Sequence, residues 1–232
     1  MFKRPLIFAA HADDELTMAG TIWQMVQSGA KVHVILMTDG REGYPRPELK
    51  DQIVALRKKE AGECDKVLGI HERLFIDEPD MGLIWKKETV LHCLQEIRRI
   101  RPDAIFTHGP SDRHPDHRAT HRITMDAQWQ AGEPVCAGLG ESWKTPIVYY
   151  YKGVPGGLPR VVLDTTKEAH KRFEALATQE SQFTLFNATR EELLDKAETF
   201  KKNPKRTRET FWIAEANLFD TFLQPPAEPE KV

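Results

Sequence analysis

Two short stretches of this chain bring together side chains that do chemistry: Ala10-His11-Ala12-Asp13-Asp14-Glu15 near the start and His114-Pro115-Asp116-His117 near the middle. Each follows an apolar run, Leu6 to Ala9 and Ala104 to Thr107, and each precedes a run of helical character. That order reads as strand, tight turn, helix. Imidazoles and adjacent carboxylates therefore gather past the carboxyl ends of two strands, the edge at which open α/β sheets bind ligands. Crowding anions there is costly unless a cation compensates, and the usual cation is a metal ion.

The spacing assigns roles. His11 and Asp14 are three apart on the turn into the first helix, and His117 lies in the first turn of another, behind Pro115 at a position that suits proline. Two histidines and one carboxylate, with water completing the set, is a standard catalytic zinc site. His11, Asp14 and His117 are the expected ligands. Asp13 is left free to act as general base on water whose pKa the metal lowers toward ~7. His114 is placed to hydrogen-bond an oxyanion or to protonate a leaving amine. Asp116 is expected to hold His114 protonated, since a nearby anion raises a histidine pKa. These parts add up to metal-assisted hydrolysis of an amide.

The elements that position them alternate. Strands are expected at Leu6–Ala10, Lys31–Met37, Leu74–Ile76, Ala104–Thr107, Ile147–Tyr151 and Val161–Leu163, with a last one over Thr210–Leu218. Helices are expected at Leu16–Ser28, Leu49–Leu68, Thr89–Arg101, Pro115–Gln130, Thr166–Gln179 and Arg190–Phe200. Such alternation predicts a Rossmann-like, doubly wound, mostly parallel sheet with helices on both faces. One domain is expected over residues 1–224, with a flexible Pro-rich tail at 225–232.

At this point the residues resemble the PIG-L/LmbE-like de-N-acetylases, which include the N-acetylglucosaminyl-phosphatidylinositol deacetylase and the deacetylases of mycothiol and bacillithiol synthesis. The family's first motif is usually PHPDDE; here Ala10 and Ala12 replace both prolines and every ligand position is kept. HPDH is intact. Thr38-Asp39-Gly40, the Arg57-x-x-Glu60 pair, and Ser181-Gln182 extend the likeness, although Gln179 stands where the family commonly has histidine. The resemblance implies a zinc-dependent deacetylase of an N-acetylglucosamine-type sugar or glycoconjugate. Arg41, Arg57, Asp112 and Arg113 are then the expected substrate contacts. The same two-histidine, one-aspartate set accepts Fe²⁺, Mn²⁺, Co²⁺ or Ni²⁺ as well as Zn²⁺.

Other readings are weighed by chemistry. Asp13, Asp14 and Glu15 also suit a plain helix N-terminus, where carboxylates meet the dipole favourably. A dinucleotide-binding oxidoreductase needs a Gly-rich first turn, and paired carboxylates there repel phosphate. A non-catalytic sugar-binding relative has no use for Asp13 and His114, and a metal-dependent amidase acting on another amide keeps the same residues. His33, His71, His92, His108 and His170 carry no pattern, and Trp85 is the one tryptophan placed to stack on a sugar. Cys64, Cys93 and Cys136 read as incidental thiols. With 33 basic against 35 acidic residues there is no field for nucleic acid. No apolar run reaches the roughly 20 residues of a membrane span, and the first five residues are too short a start for a signal peptide. These features predict a cytoplasmic protein without a membrane anchor, and they are compatible with a homo-oligomer.

Overall fold

The computed structural model describes residues 2–154 and 156–214. Its elements follow the order β1 (Pro5–Ala9), α1 (Ala19–Gln27), β2 (His33–Thr38), α2 (Ile53–Leu68), β3 (Glu72–Glu78), α3 (Lys87–Ile100), β4 (Ala104–His108), α4 (Pro115–Gly132), β5 (Val148–Lys152), β6 (Arg160–Asp164), α5 (Ala169–Leu176), α6 (Phe183–Phe186), α7 (Arg190–Lys202) and β7 (Arg208–Ile213). The strands form one sheet in the order β3-β2-β1-β4-β5-β7-β6. β1 to β5 are parallel, and β7 and β6 close the far edge in antiparallel pairs. The expected mostly parallel, doubly wound sheet is what forms.

Strand periodicity divides the core in two. Ile7, Ala9, Val34 and Leu36 point to one face and pack with Ile22 and Met25 of α1 and Cys64 and Leu68 of α2. Leu6, Phe8, Ile35 and Met37 point to the other and pack with Val90, Leu94 and Ile97 of α3 and Ile123 and Ala127 of α4. Alternate residues of a pleated strand face opposite sides, so a central strand buried on both must be apolar throughout. All five residues of β1 are buried.

This topology makes the crevice. From β1 the chain winds outward through β2 and β3, then returns to the other side of β1 for β4 and β5. The turns leaving β1 and β4 part company there, at the switch point of the sheet. His11 to Asp14 lie on the first turn and Gly109 to His117 on the second. Gly109 is a geometric necessity, because a Cβ would stand 2.4 Å from the Gly153 carbonyl oxygen. That close approach seats the second loop against the end of β5.

Several element ends differ from the sequence reading. The first helix opens as a tighter 3₁₀ turn over Asp14–Met18 before α1 begins. The Asp14 and Leu16 amides bond the His11 and Asp13 carbonyls three residues back, which keeps the acidic run on the rim. The second helix likewise starts with a 3₁₀ turn at Pro47–Leu49, and the Thr166–Gln179 helix shortens to α5. The last strand ends at Ile213; the tail at 225–232 and residues 215–218 of the expected strand lie outside the described residues.

Glu15 fixes the first turn from below. It is fully buried, and Arg73 of β3 reaches both Glu15 and Asp65 of α2 at 2.6 Å. Burial drives the Glu15 carboxyl up to about 7 against the pull of Arg73. Removing the guanidinium strands the fully buried Glu15 and leaves half-buried Asp65 without its partner, a loss of about 3–5 kcal/mol for a broken buried pair. Arg73→Met is expected to lower unfolding stability by that amount in a urea titration; a change below ~1 kcal/mol would show that the triad carries no such weight.

Candidate functional site

The crevice is a cleft of about 300 Å³ lined by His11, Asp13, Asp14, Arg57, Asp80, His114 and His117, with Glu42, Gly43, Met81, Lys152, Gln182 and Leu185 around them. Residues 106 apart in sequence, His11 and His117, meet on its floor. His11 Nδ1 lies 3.2 Å from His117 Nε2 and 3.5 Å from an Asp14 carboxylate oxygen. His117 Nε2 is 3.2 Å from the other Asp14 oxygen. Donors 2.0–2.2 Å from a tetrahedral cation stand ~3.4 Å from one another. The two histidine nitrogens have that separation, and Asp14 meets them with different carboxylate oxygens, Oδ2 toward His11 and Oδ1 toward His117.

Each imidazole is backed by acid on its far nitrogen. His11 Nε2 is 3.0 Å from Asp80 and 3.4 Å from Asp116, and Asp112 lies 3.1 Å from His117 Nδ1, within ion-pair range but off the hydrogen-bond direction. A carboxylate behind a histidine fixes its tautomer and ring orientation and raises its basicity as a ligand. Burial alone lowers the His11 pKa, but its bonds to Asp116, Asp14 and Asp80 outweigh it and carry it up to about 11. Asp80 is pushed up by burial and brought down to about 2 by its bond to His11 and the charges of His11 and Arg57.

Asp13 and His114 stand beside this triangle. Asp13 occupies the position before the 3₁₀ turn, yet its side chain makes no cap bond. The carboxylate instead faces the cleft, 3.6 Å from Arg57 Nη2. Asp14 and Glu15 do fall in the first 3₁₀ turn, as a helix start would have them, whereas Asp13 is turned to the cleft. Arg57 is buried under the Gly40–Gly43 turn, where a Cβ on Gly43 would fall 2.4 Å from its Nη1. His114 precedes α4, and its Nδ1 accepts the Asp116 main-chain N–H at 3.2 Å. That bond leaves Nε2 to carry the proton of the neutral ring. Burial, followed by the charges of His11 and His117, lowers the His114 pKa.

These contacts also place four other expected residues. Asp116 turns away from His114; its carboxylate accepts the Met81 and Leu83 amides and faces His11, because the β3 loop presents those amides to the first turn of α4. Arg41 lies outside the cleft lining, its half-exposed guanidinium engaged by Asp39 at 2.5 Å. Asp112 lies beside His117 and accepts the His114 amide, and it lines the same groove as Arg113. Trp85 also leaves the cleft: its indole N–H bonds Asp126 of α4 and Arg122 lies over its ring. Arg57 lines the cleft as expected, and Arg113 lines the groove that continues from it past His114 and Lys152.

Asp80, His108 and Lys152 escaped the sequence reading as site residues, and the Gln182 segment entered it only through the family resemblance. The first three were legible by position, since His108 and Lys152 end β4 and β5 and Asp80 lies two residues past β3. Each sits on the ligand-binding rim of a parallel sheet.

The scan against family models matches residues 6–128 to PIG-L, described as GlcNAc-PI de-N-acetylase. The chain belongs to this family. The matched segment runs from β1 through most of α4 and so contains both motif turns. Similar proteins are the diacetylchitobiose deacetylase of Thermococcus kodakarensis, 28% identical over 78% of this chain and 70% of that protein. Another is the 1D-myo-inositol 2-acetamido-2-deoxy-alpha-D-glucopyranoside deacetylase of Streptomyces scabiei, 29% identical over 67% of this chain. The chain spans 57% of the length of that second relative. Among solved structures, N,N'-diacetylchitobiose deacetylase from Pyrococcus horikoshii superposes with a TM-score of 0.78 at 24% identity, covering 97% of this chain and 88% of the other. At that identity the likeness shows the fold.

One wall of the cleft depends on the family's Arg57-x-x-Glu60 helix. Glu60 accepts the Ser181 amide at 2.7 Å and the Ser181 hydroxyl at 2.6 Å, and Gln182 donates to the Gly43 carbonyl at 2.8 Å. One face of α2 thus holds Arg57 beneath Asp13 and pins the segment bearing Gln182 and Leu185. Bonds to a charged acceptor contribute about 1.5–3 kcal/mol. Glu60→Ala is expected to speed hydrogen exchange of the Ser181 amide by about tenfold or more. Unchanged exchange would show the wall to be held by other contacts.

Proposed function

We propose that this chain is a zinc-dependent hydrolase that removes the N-acetyl group of an N-acetylglucosamine-type amino sugar or its conjugate, with His11, Asp14 and His117 as the metal ligands. The observation that carries the reading is the meeting of His11, Asp14 and His117, with His11 Nδ1 3.2 Å from His117 Nε2 and each imidazole within 3.5 Å of one Asp14 oxygen, while Asp13 and His114 stand beside them. Family membership and two relatives named as deacetylases of acetamido sugars support it. The donor set fits a divalent cation of borderline softness, and the excess of buried carboxylate around His11 calls for one. When bound, such a cation polarises the acetyl carbonyl and acidifies water.

The chain's own residues do the rest. Asp13 takes a proton from the attacking water as the new C–O bond forms, which a cleft-facing carboxylate free of any cap bond can do. Arg57, 3.6 Å away and buried, keeps that carboxylate in place. His114 directs Nε2–H at the acetyl oxygen as it gains charge, its ring oriented by the Asp116 amide. Asp13 then returns the proton to the sugar nitrogen as the C–N bond breaks, giving acetate and a free amine. Arg57 and Arg113 are the proposed substrate contacts among the arginines.

Release of acetate from a panel of N-acetylated amino sugars, with and without a chelator, tests the activity. Acetate is expected only from the metal-loaded protein, and its release at full rate after chelation to metal-free protein would overturn the metal reading. Asp13→Ala is expected to lose about 10²–10⁴-fold in turnover while keeping one equivalent of zinc. His117→Ala is expected to lose the zinc itself. Elemental analysis of the two variants separates base from ligand, and stoichiometric zinc in His117→Ala would refute the ligand set.

A further inference from the structure

We infer that His108 is a positioning residue for Asp14, holding one carboxylate oxygen back so that the other faces the cation, and that Tyr151 fixes the imidazole tautomer this requires. The inference rests on Asp14 being a ligand, as proposed above. The two Asp14 oxygens have different surroundings. Oδ2 accepts the His11 main-chain N–H at 2.8 Å and lies 3.2 Å from His108 Nε2. Oδ1 faces the open side, 3.2 Å from His117 Nε2 and 3.6 Å from Lys152 Nζ.

The tautomer follows from the partners of His108 Nε2. Tyr151 has one hydroxyl proton, and its oxygen lies 3.0 Å from the Phe8 carbonyl, which can only accept. That proton goes to Phe8, so the phenol oxygen presents a lone pair to His108 Nε2 at 2.9 Å. A carboxylate oxygen and a phenol lone pair then converge on one ring nitrogen. Both demand a donor there, and a bond to a charged acceptor is the stronger kind. The Ala10 amide N–H also points at Nε2, at 3.3 Å, and would favour an acceptor there, but it is the longest of the three contacts and is outweighed by the two that call for a donor. Nε2 therefore carries the proton. Nδ1 is buried with no partner among the described residues; left unprotonated, it strands a lone pair instead of an N–H.

His108 also lies flat on the ligand histidine, its ring 4.0 Å from that of His117 at 19°. The fully buried ring thus touches two proposed ligands, Asp14 at 3.2 Å through Nε2 and His117 by stacking. A phenylalanine keeps the stacking and removes the donor, whereas a glutamine amide restores a donor of neutral charge.

Zinc affinity by competition with a chromophoric chelator tests the inference without any substrate, so its outcome is independent of the deacetylase assay. His108→Phe is expected to weaken zinc about 10–100-fold, and His108→Gln to recover most of that loss. The visible spectrum of the Co²⁺-loaded protein should shift in His108→Phe and return toward wild type in His108→Gln. Tyr151→Phe, which leaves the imidazole in place, is expected to cost about two- to tenfold. Should His108→Phe not fold, judged by the melting of the metal-free protein, Tyr151→Phe decides. Wild-type affinity and spectrum in the folded variants would overturn the inference. Equal loss in the phenylalanine and glutamine variants would also overturn it, making His108 a packing element or a ligand itself. Asp14→Ala retaining stoichiometric zinc would instead sink the ligand assignment on which it rests.

Discussion

The structure turns on the concentration of negative charge where β1 and β4 end. Asp14, Asp80, Asp112 and Asp116 surround His11 and His117 within hydrogen-bonding reach, in a place where burial penalises every uncompensated anion. The elevated pKa of His11 expresses that excess. A divalent cation is the economical answer to it, because one ion satisfies several donors that cannot satisfy each other. The fold's other features act to keep those donors from relaxing apart.

Rigidity comes from below and behind. Arg73 ties Glu15 to Asp65, so the turn between β1 and α1 cannot rotate its acidic run into solvent. Three neighbouring acids thereby acquire three separate duties: Asp13 faces the cleft, Asp14 faces the histidines and Glu15 anchors inward. The second turn is held by close backbone packing of Gly109 on Gly153. Farther out, Arg98 of α3 donates to the Ala131, Cys136, Gly140 and Val135 carbonyls and binds the segment after α4 to the sheet's other face. A guanidinium is suited to this because its five donors fan out in a plane.

The substrate side is built differently. The cleft wall at Gln182 and Leu185 comes from a segment far along the chain, latched to α2 through Glu60 and Ser181. Half-exposed Lys152 and strongly exposed Met81 and Leu185 rim the opening. A family can keep the floor fixed and vary these walls, since fold and floor chemistry do not by themselves dictate which conjugate is accepted.

The amino-acid sequence alone determined the parallel sheet, the two motif turns and the residues on the floor, because each rests on local pattern: apolar runs of strand length, helical periodicity and imidazole-carboxylate spacing. Pairing His11 with His117 was legible only through the rule that parallel strands deliver their following loops to one rim. What the sequence could not determine was the direction of each side chain after it arrived. Asp116 and Asp112 sit in the same loop and helix start as His114, yet one supports His11 and the other His117, a choice made by the amides of the β3 loop and by the seating of the loop after β4. His108 looked like any strand histidine until β5 placed Tyr151 beside it and β1 placed Asp14 across from it. Those contacts join strands about 100 and 40 residues apart in the chain. They are settled by packing in three dimensions, and no local pattern encodes them.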